Sequence, residues 1–442
     1  MEILAKVGDA LQGLLGQIAQ EAAKESGVIA RLRKFTPQSL ARTFILGFLR
    51  DPNASDEKLA QMAVQCGASV TPQAIEQRHT PKLVDFLEKL FRGATTTLVV
   101  GTDKALAPIL ERFTRVTVLD SSTIKLPDEL QDRFRGCGGT QDTGVAVMKL
   151  QTELDLRSGA LEHVQIEQGR QTDRGTSRLQ VRRGPGSLRI ADLGYFVLPV
   201  FAAMAEAGEY FLSRLMSGTD VRFANVTVNI LGWLAKQPGP FVDTWIQLGQ
   251  KQRLPCRLIA WRLPQEQANA RRRKLREEML KKKHREPTAE RLAWCDWTIL
   301  VTNVSEDLLT PKEAVVLYRA RWQVELLFKR WKSQGLVEQL SGTNVARQMV
   351  RVWSRLLAAV VQHWLTVGTI WGDPTKSLDK VYKASREFAG RLAAALAGRA
   401  TWEEVLAEIG QTFAKTCRRD KRSKPGTFEL LNDVELLDFC LT

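Results

Sequence analysis

Between Arg112 and Leu215 the chain turns from helical to period-two patterning, and the order of segments there leaves few folds open. RFTRVTVLD (112–120), GVAVMKLQTELDL (144–156) and ALEHVQIEQ (160–168) read as three strands, the last two joined by a hairpin turn at Arg157-Ser158-Gly159. A helical segment carrying Thr172, Asp173 and Arg174 follows. GSLRIAD (186–192) is a fourth strand, and a helix through Ala202–Ala207 leads to EYFLSRL (209–215), a fifth. The first strand ends on Asp120 and the fourth on Asp192. Three antiparallel strands, a helix, a strand, a helix and a strand predict an α/β fold with a mixed sheet covered by helices.

That order is the one of an RNase H-like core, in which the first and fourth strands are neighbours, so Asp120 and Asp192 are expected to converge. Residues 216–296 interrupt it. Their first part, from VRFANVTVNI to CRLIAWRL, is strand-rich, and their second, Glu266–Arg285, is a charged helix including Arg271, Arg272, Arg273, Lys274 and Lys281. Such a run is either a solvated face or a phosphate contact. WTILVTNV, starting at Trp297, returns as a strand, and Thr310-Pro311 caps a helix. Within that helix, LYRARWQVELLFKRWK (317–332) places Tyr318, Arg321, Glu325 and Lys332 on one stripe, opposite an apolar arc of Leu317, Ala320, Val324, Leu327, Phe328 and Trp331. Taken alone, the stripe reads as a surface helix with an Arg321–Glu325 pair, worth about 0.2–0.5 kcal/mol. With two strand-end aspartates upstream, it reads instead as the carrier of a third carboxylate. Hard Mg²⁺ ions take such oxygen ligands, and two of them about 3.5–4 Å apart serve both sides of a phosphoryl transfer.

The 442 residues carry a formal charge of +15, and the pI near 9.7 points to a polyanionic partner, most simply nucleic acid. The six cysteines include no CxxC pair and only four histidines occur, which argues against thiolate zinc sites and disulfide scaffolds. The longest apolar stretch, Leu356–Trp371, is interrupted by Gln362 and His363, so a buried helix is expected there and no membrane span. Residues 1 to about 92 read as helices with caps at Thr36, Ser55 or Asp56, and Thr71. The SDEKLAQMAVQCGASVTPQAIEQRHTP stretch, with Arg78 and His79 expected on the surface, fits a helix-turn-helix DNA reader as well as two helices of a bundle. The run Lys415–Gly426 is basic, and the acidic, apolar tail after it suits docking onto another surface.

The motif Tyr318-x2-Arg321-x3-Glu325-x6-Lys332, with Asp120-Ser-Ser-Thr and Asp192-Leu-Gly-Tyr195 upstream, resembles the signature of the bacterial insertion-sequence DDE transposases of family four. The likeness runs from end to end of the chain. It implies five regions: a helical DNA-binding domain over 1–105, an RNase H-like core in two parts (106–215 and 297–340), the β-rich and charged-helix insertion at 216–296, and a C-terminal helical region over 341–442. It also implies that Asp120, Asp192 and Glu325 bind two Mg²⁺ ions, for which Mn²⁺ substitutes. Tyr318, Arg321 and Lys332 would contact phosphates. Trp297, which stands 28 residues before Glu325, would stack on a base extruded during a hairpin step; Trp294 is the neighbouring alternative. The expected activity is cut-and-paste transposition: binding of terminal inverted repeats in double-stranded DNA, end cleavage and strand transfer into target DNA by a synaptic homodimer. The expected setting is the bacterial cytoplasm, at the nucleoid and without a membrane. The rival reading is a non-catalytic DNA-binding regulator or domesticated derivative, against which the intact triad of acids speaks.

Overall fold

The computed structural model describes residues 2–29, 34–97, 99–100, 107–139, 144–333, 344–421 and 424–437. Its helices begin where the sequence supplies caps. Helix α1 (Glu2–Gly13) passes through a π turn at Leu14–Ile18 into α2 (Ala19–Ser26), which Gly27 ends at φ 61°. Thr36, Thr71 and Thr80, each followed by proline, cap α3 (Pro37–Arg50), α5 (Pro72–Glu76) and α6 (Pro81–Thr96); Ser55 caps α4 (Asp56–Gln65) between them. After α7 (Pro108–Glu111) come β1 (Arg115–Lys125), β2 (Arg135–Gly139), β3 (Gly144–Asp155), β4 (Leu161–Gln168) and β5 (Ser187–Ala191). Then follow α8 (Leu198–Glu206), β6 (Tyr210–Arg214), β7 (Val221–Phe223), β8 (Val226–Val228), α9 (Ile230–Leu234), β9 (Phe241–Leu248) and β10 (Leu254–Arg262). The charged helix is α10 (Gln265–Lys283), followed by α11 (Ala289–Ala293), β11 (Trp297–Thr302), α12 (Pro311–Ala320) and α13 (Trp322–Trp331). The remainder is α14 (Val345–Ile370), α15 (Leu378–Ala384), α16 (Ala389–Leu396), α17 (Trp402–Thr416) and α18 (Thr427–Asn432). Residues 422–423 of the basic run and the tail from 438 onward lie outside the described residues.

The chain divides into two compact units. Unit 1 comprises Met1–Ala105, Ser121–Gln171 and Gln323–Ser423, and unit 2 comprises Leu106–Asp120, Thr172–Trp322 and Lys424–Thr442. In unit 1, β3 pairs antiparallel with β2 and β4, and α14 packs against α1, α3 and α6. The polar residues that interrupt the apolar run of α14 are buried and used. His363 Nε2 lies 2.7 Å from the Gly159 carbonyl, Gln362 Nε2 donates to Tyr382 O at 2.8 Å, and Trp371 Nε1 donates to Leu156 O at 3.1 Å. His363 and Trp371 thus hold the β3–β4 turn, while Gln362 ties α14 to α15. Among the described residues no helix is long and apolar enough to cross a membrane.

In unit 2, eight strands run in the order β1-β5-β6-β11-β10-β9-β7-β8. The first three are parallel and the rest antiparallel, which makes a large mixed sheet. The interruption at 216–296 therefore adds strands to the edge of this sheet beyond β11. Its core includes Leu119, Tyr195, Phe201, Phe211, Ile246, Leu258, Trp297 and Ile299, with the Phe201 and Phe211 rings stacked at 4.4 Å. The β7–β8 hairpin turns on Ala224 and Asn225, both at positive φ (41° and 72°), as a two-residue turn between right-twisted strands requires.

Several elements differ from the sequence reading. The segment at 172–174 is a short 3₁₀ turn, Asp173–Gly175, and β2 and α9 appear without a strong local pattern. His79, expected at the surface, is 8% exposed, with Nε2 3.0 Å from Asp56 Oδ1; Arg347 reaches the same carboxylate. Arg78 donates to the Val28 carbonyl at 3.3 Å and lies over the Phe35 ring. Both side chains serve packing within unit 1. The helix expected from 317 to 332 is two helices, broken at Arg321, whose N–H bonds Tyr318 O at 3.3 Å in a tighter i→i−3 turn.

Candidate active site

The strands of unit 2 bring two of the expected acids together. Strands β1 and β5 are parallel and in register up to Leu119↔Ala191, so the next residue on each is Asp120 and Asp192. Strand β1 itself continues to Lys125; its pairing with β5, and not the strand, ends just before Asp120. Strands β5 and β6 are in register at Ile190↔Leu212, and two residues further on Asp192 lies level with Arg214. Continued past the last paired residues, these registers bring Asp120, Asp192 and Arg214 in line, and Tyr318 feels the charges of both Asp192 and Arg214. Side chains level with one another in a sheet leave on the same face. Sequence reasoning missed Arg214, which reads as one polar residue of a short strand; the row becomes visible only with the register.

Helix α12 sets two further side chains against this row. Tyr318 Oη donates to Asp192 Oδ1 at 3.4 Å, and Arg321 Nη1 donates to Asp120 Oδ2 at 3.2 Å. The guanidinium of Arg321 also lies 5.8 Å from the Tyr318 ring centroid. Burial, with the charge of Asp192 adding, pushes the Tyr318 hydroxyl up to about 12, so it remains a neutral donor at any working pH. The Arg321 and Asp120 side chains are 14% and 16% exposed, enough access for a ligand to compete with their contact.

Two arginines hold the N-terminal end of α12. Thr310 and Glu313 form a capping box, and Arg112 binds Glu313 in a fork at 2.8 and 2.7 Å. Burial works to raise the Glu313 carboxyl, yet hydrogen bonds from Arg112 and Thr310 outweigh it and hold the group below its ordinary value. Arg257, 1% exposed, donates to Val304 O at 3.2 Å and Leu309 O at 2.8 Å while pairing with Asp243. The loop entering α12 is thereby fixed to β10. On the other side, α18 packs against α12, with Lys312 Nζ 2.6 Å from Glu435 Oε2; the acidic tail expected to dock does so within unit 2.

The remaining expected residues belong to other elements. Glu325 belongs to unit 1, on α13, half-buried beside the core residues Val324, Leu327 and Phe328. Lys332, exposed, follows the last turn of that helix. Trp297 is 5% exposed in the core of unit 2, with the Arg262 guanidinium 5.4 Å from its ring. Trp294, the alternative, is half-buried and lines a cavity. Among the described residues no group of three His, Cys, Asp or Glu side chains stands ready to hold a metal ion. The Asp120 and Asp192 pair nonetheless offers hard oxygen donors on one face, which suits a divalent cation such as Mg²⁺.

The family model of the transposase DDE domain matches residues 111–361 of this chain, from the end of α7 into α14. The transposase for insertion sequence element IS231C of Bacillus thuringiensis subsp. berliner is 30% identical over 373 residues, covering 79% of this chain and 77% of that protein. The transposase for insertion sequence element IS231B of the same subspecies is 29% identical over 367 residues, covering 77% and 75%. Among solved structures, the chain is similar to the piggyBac transposase in its synaptic complex with hairpin DNA, at a TM-score of 0.42 and 12% identity, over 95% of this chain and 86% of that one.

Proposed function

This chain belongs to the transposase DDE domain family and is an insertion-sequence DNA transposase, and we propose that it moves its element by cut-and-paste chemistry at Asp120, Asp192 and Glu325. The activity is that of an endonuclease and strand transferase. One observation carries the residue assignment: Asp120 and Asp192 occupy adjacent positions where the pairing of two parallel strands ends. Glu325, held by the apolar side of α13, is the third oxygen ligand in this reading, by its place in the Tyr-Arg-Glu-Lys pattern of family four.

The family uses divalent metal; we take the ions to be two Mg²⁺, replaceable by Mn²⁺. Bound there, they would supply Lewis-acid stabilisation of the phosphoryl oxygens and an activated hydroxyl nucleophile near neutral pH. The chain's own groups do the rest. Tyr318, kept protonated, orients the Asp192 carboxylate. Arg321 holds Asp120 until DNA arrives, then turns its planar fork to a phosphate, for which guanidinium geometry is suited. Lys332 adds a point charge. A base-stacking role during a hairpin step falls more readily on Trp294 than on Trp297, whose ring is covered.

Around this site we assign an RNase H-like core, with β1, β5 and β6 as its parallel strands and β3 and β4 as its antiparallel hairpin. The five-region layout, with N-terminal helices binding the terminal inverted repeats and a homodimer pairing two element ends at the nucleoid, completes the proposal. The test is to incubate the protein with element-end DNA and Mg²⁺, comparing wild type with Asp120→Ala, Asp192→Ala and Glu325→Ala. Loss of nicking in each variant is expected. Cleavage persisting in all three would overturn the mechanism, and binding without cleavage by wild type would favour a regulator.

A further inference from the structure

The family pattern gives no task to the charged helix α10. In unit 2 a cavity of about 240 Å³ is lined by Arg214 at the end of β6 and Ser217 after it, Arg271 and Leu275 of α10, and Arg291, Trp294 and Cys295 of the α11 region. Three guanidinium groups share this small space, and no carboxylate is among its lining residues. Among the described residues no carboxylate pairs with Arg214, Arg271 or Arg291. Arg271 Nη1 donates to Trp297 O at 3.4 Å and Thr298 Oγ1 at 3.1 Å, and Arg291 Nη1 meets Met279 Sδ at 3.2 Å. The neighbouring Arg272, by contrast, is paired with Asp296. Burial, joined by the charge of Arg214, holds the Arg271 guanidinium below its usual value, as expected of like charges brought together. Among the described residues the buried Trp294 Nε1–H has no hydrogen-bond acceptor, and a buried donor left unmade costs about 1–3 kcal/mol. Repelling cations and an idle donor are both relieved by an anion.

We propose that this cavity seats a backbone phosphate of bound DNA, gripped by Arg214, Arg271 and Arg291, and that completing this grip is the work of α10. The volume lies below the roughly 300–1,000 Å³ of pockets that enclose a drug-sized molecule, so it takes one group of a larger ligand. DNA is the source because Arg214 and Asp192 both act on Tyr318, where the strand being cut is held on the transposase reading. The inference rests on that reading.

The measurement is binding of a fluorescein-labelled duplex by anisotropy as salt rises from about 50 to 200 mM, where each phosphate contact contributes about 0.9 to the log–log slope. Arg271→Gln/Arg291→Gln is expected to flatten the slope by about one contact and weaken binding roughly tenfold at low salt. Arg291→Gln alone, at an exposed position, is expected to show part of the effect and guards against misfolding of the double variant, which thermal melting reports. Arg273→Gln/Lys274→Gln, on the exposed side of α10, serves as the charge-matched control. A control that flattens the slope as much as the cavity variant would overturn the proposal, as would a cavity variant with wild-type slope and affinity. If inorganic phosphate raises the melting temperature of wild type but not of the double variant, while DNA binding is equal in both, the cavity takes a free anion and the assignment to DNA fails. A wild-type protein that binds no duplex would instead sink the transposase reading, and this proposal with it.

Discussion

Unit 2 holds two arginine–aspartate pairs that look alike on paper and differ in kind. Arg257 and Asp243 meet twice, at 2.5 and 3.2 Å, and Arg257 spends its other hydrogen bonds on two backbone carbonyls of the loop entering α12. Arg321 and Asp120 meet at 3.2 Å, both side chains partly open to solvent. The first pair is a staple whose guanidinium is fully enclosed and bonded to the fold on each side. The second leaves carboxylate oxygen and guanidinium able to exchange partners, the carboxylate to a metal ion and the guanidinium to a phosphate. The two aspartates are equally exposed, 16% each; what separates the pairs is the arginine, 1% exposed in the first and 14% in the second.

The comparison breaks most sharply at the acids. Asp120→Ala and Asp192→Ala should each lower end cleavage by about 10³-fold or more, near 4 kcal/mol of transition-state stabilisation, with urea midpoints close to wild type. Arg257→Ala should do the reverse. An uncompensated Asp243 costs about 3–5 kcal/mol of stability, read as a lowered denaturation midpoint; an unchanged midpoint would erase the distinction between the pairs. Arg321→Ala should cut cleavage about 10–100-fold, as loss of a group orienting a metal ligand does, and leave the midpoint within about 1 kcal/mol. The smallest effect belongs to Tyr318→Phe, which removes one hydrogen bond to Asp192 and should slow cleavage about 2–10-fold. Because the folded hydroxyl titrates near 12, above the ordinary value of about 10, it stays protonated below pH 10. Its removal should therefore leave the shape of the pH–rate profile between 6 and 9, roughly the range where a free phenol would also be neutral, unaltered; a lost limb in that window would mean Tyr318 itself titrates.

How much of this was legible follows from the period of each signal. The strands around Asp120 and Asp192 alternate cleanly, so they could be read directly, but β1 runs on to Lys125 and what stops before Asp120 is its pairing with β5, which no local pattern shows. Arg214 could not be read either, because its meaning lies in a register between strands separated in sequence, and no local pattern carries that. The break at Arg321 was also hidden: Arg-Ala-Arg-Trp-Gln is good helix sequence, with neither Gly nor Pro to mark a kink. His79 looked like a surface residue beside Arg78 until Asp56 and Arg347, remote in sequence, supplied its partner and its cover. The cap at Thr310 and the start of β11 at Trp297, both local signals, stand where the sequence puts them.

The docking of α18 against α12 also has a consequence in time. Unit 2 is threaded from three stretches of chain, and its last, from Lys424, is made only after the excursion Gln323–Ser423 has been translated. At about 5–20 residues per second this delays completion of unit 2 by roughly 5–20 s. Through that interval α12, with Tyr318 and Arg321, lacks the Lys312–Glu435 contact and the α18 surface that brace it. A nascent chain would thus carry both aspartates well before the helix set against them is secured, and maturation of the site would lag behind synthesis of its ligands.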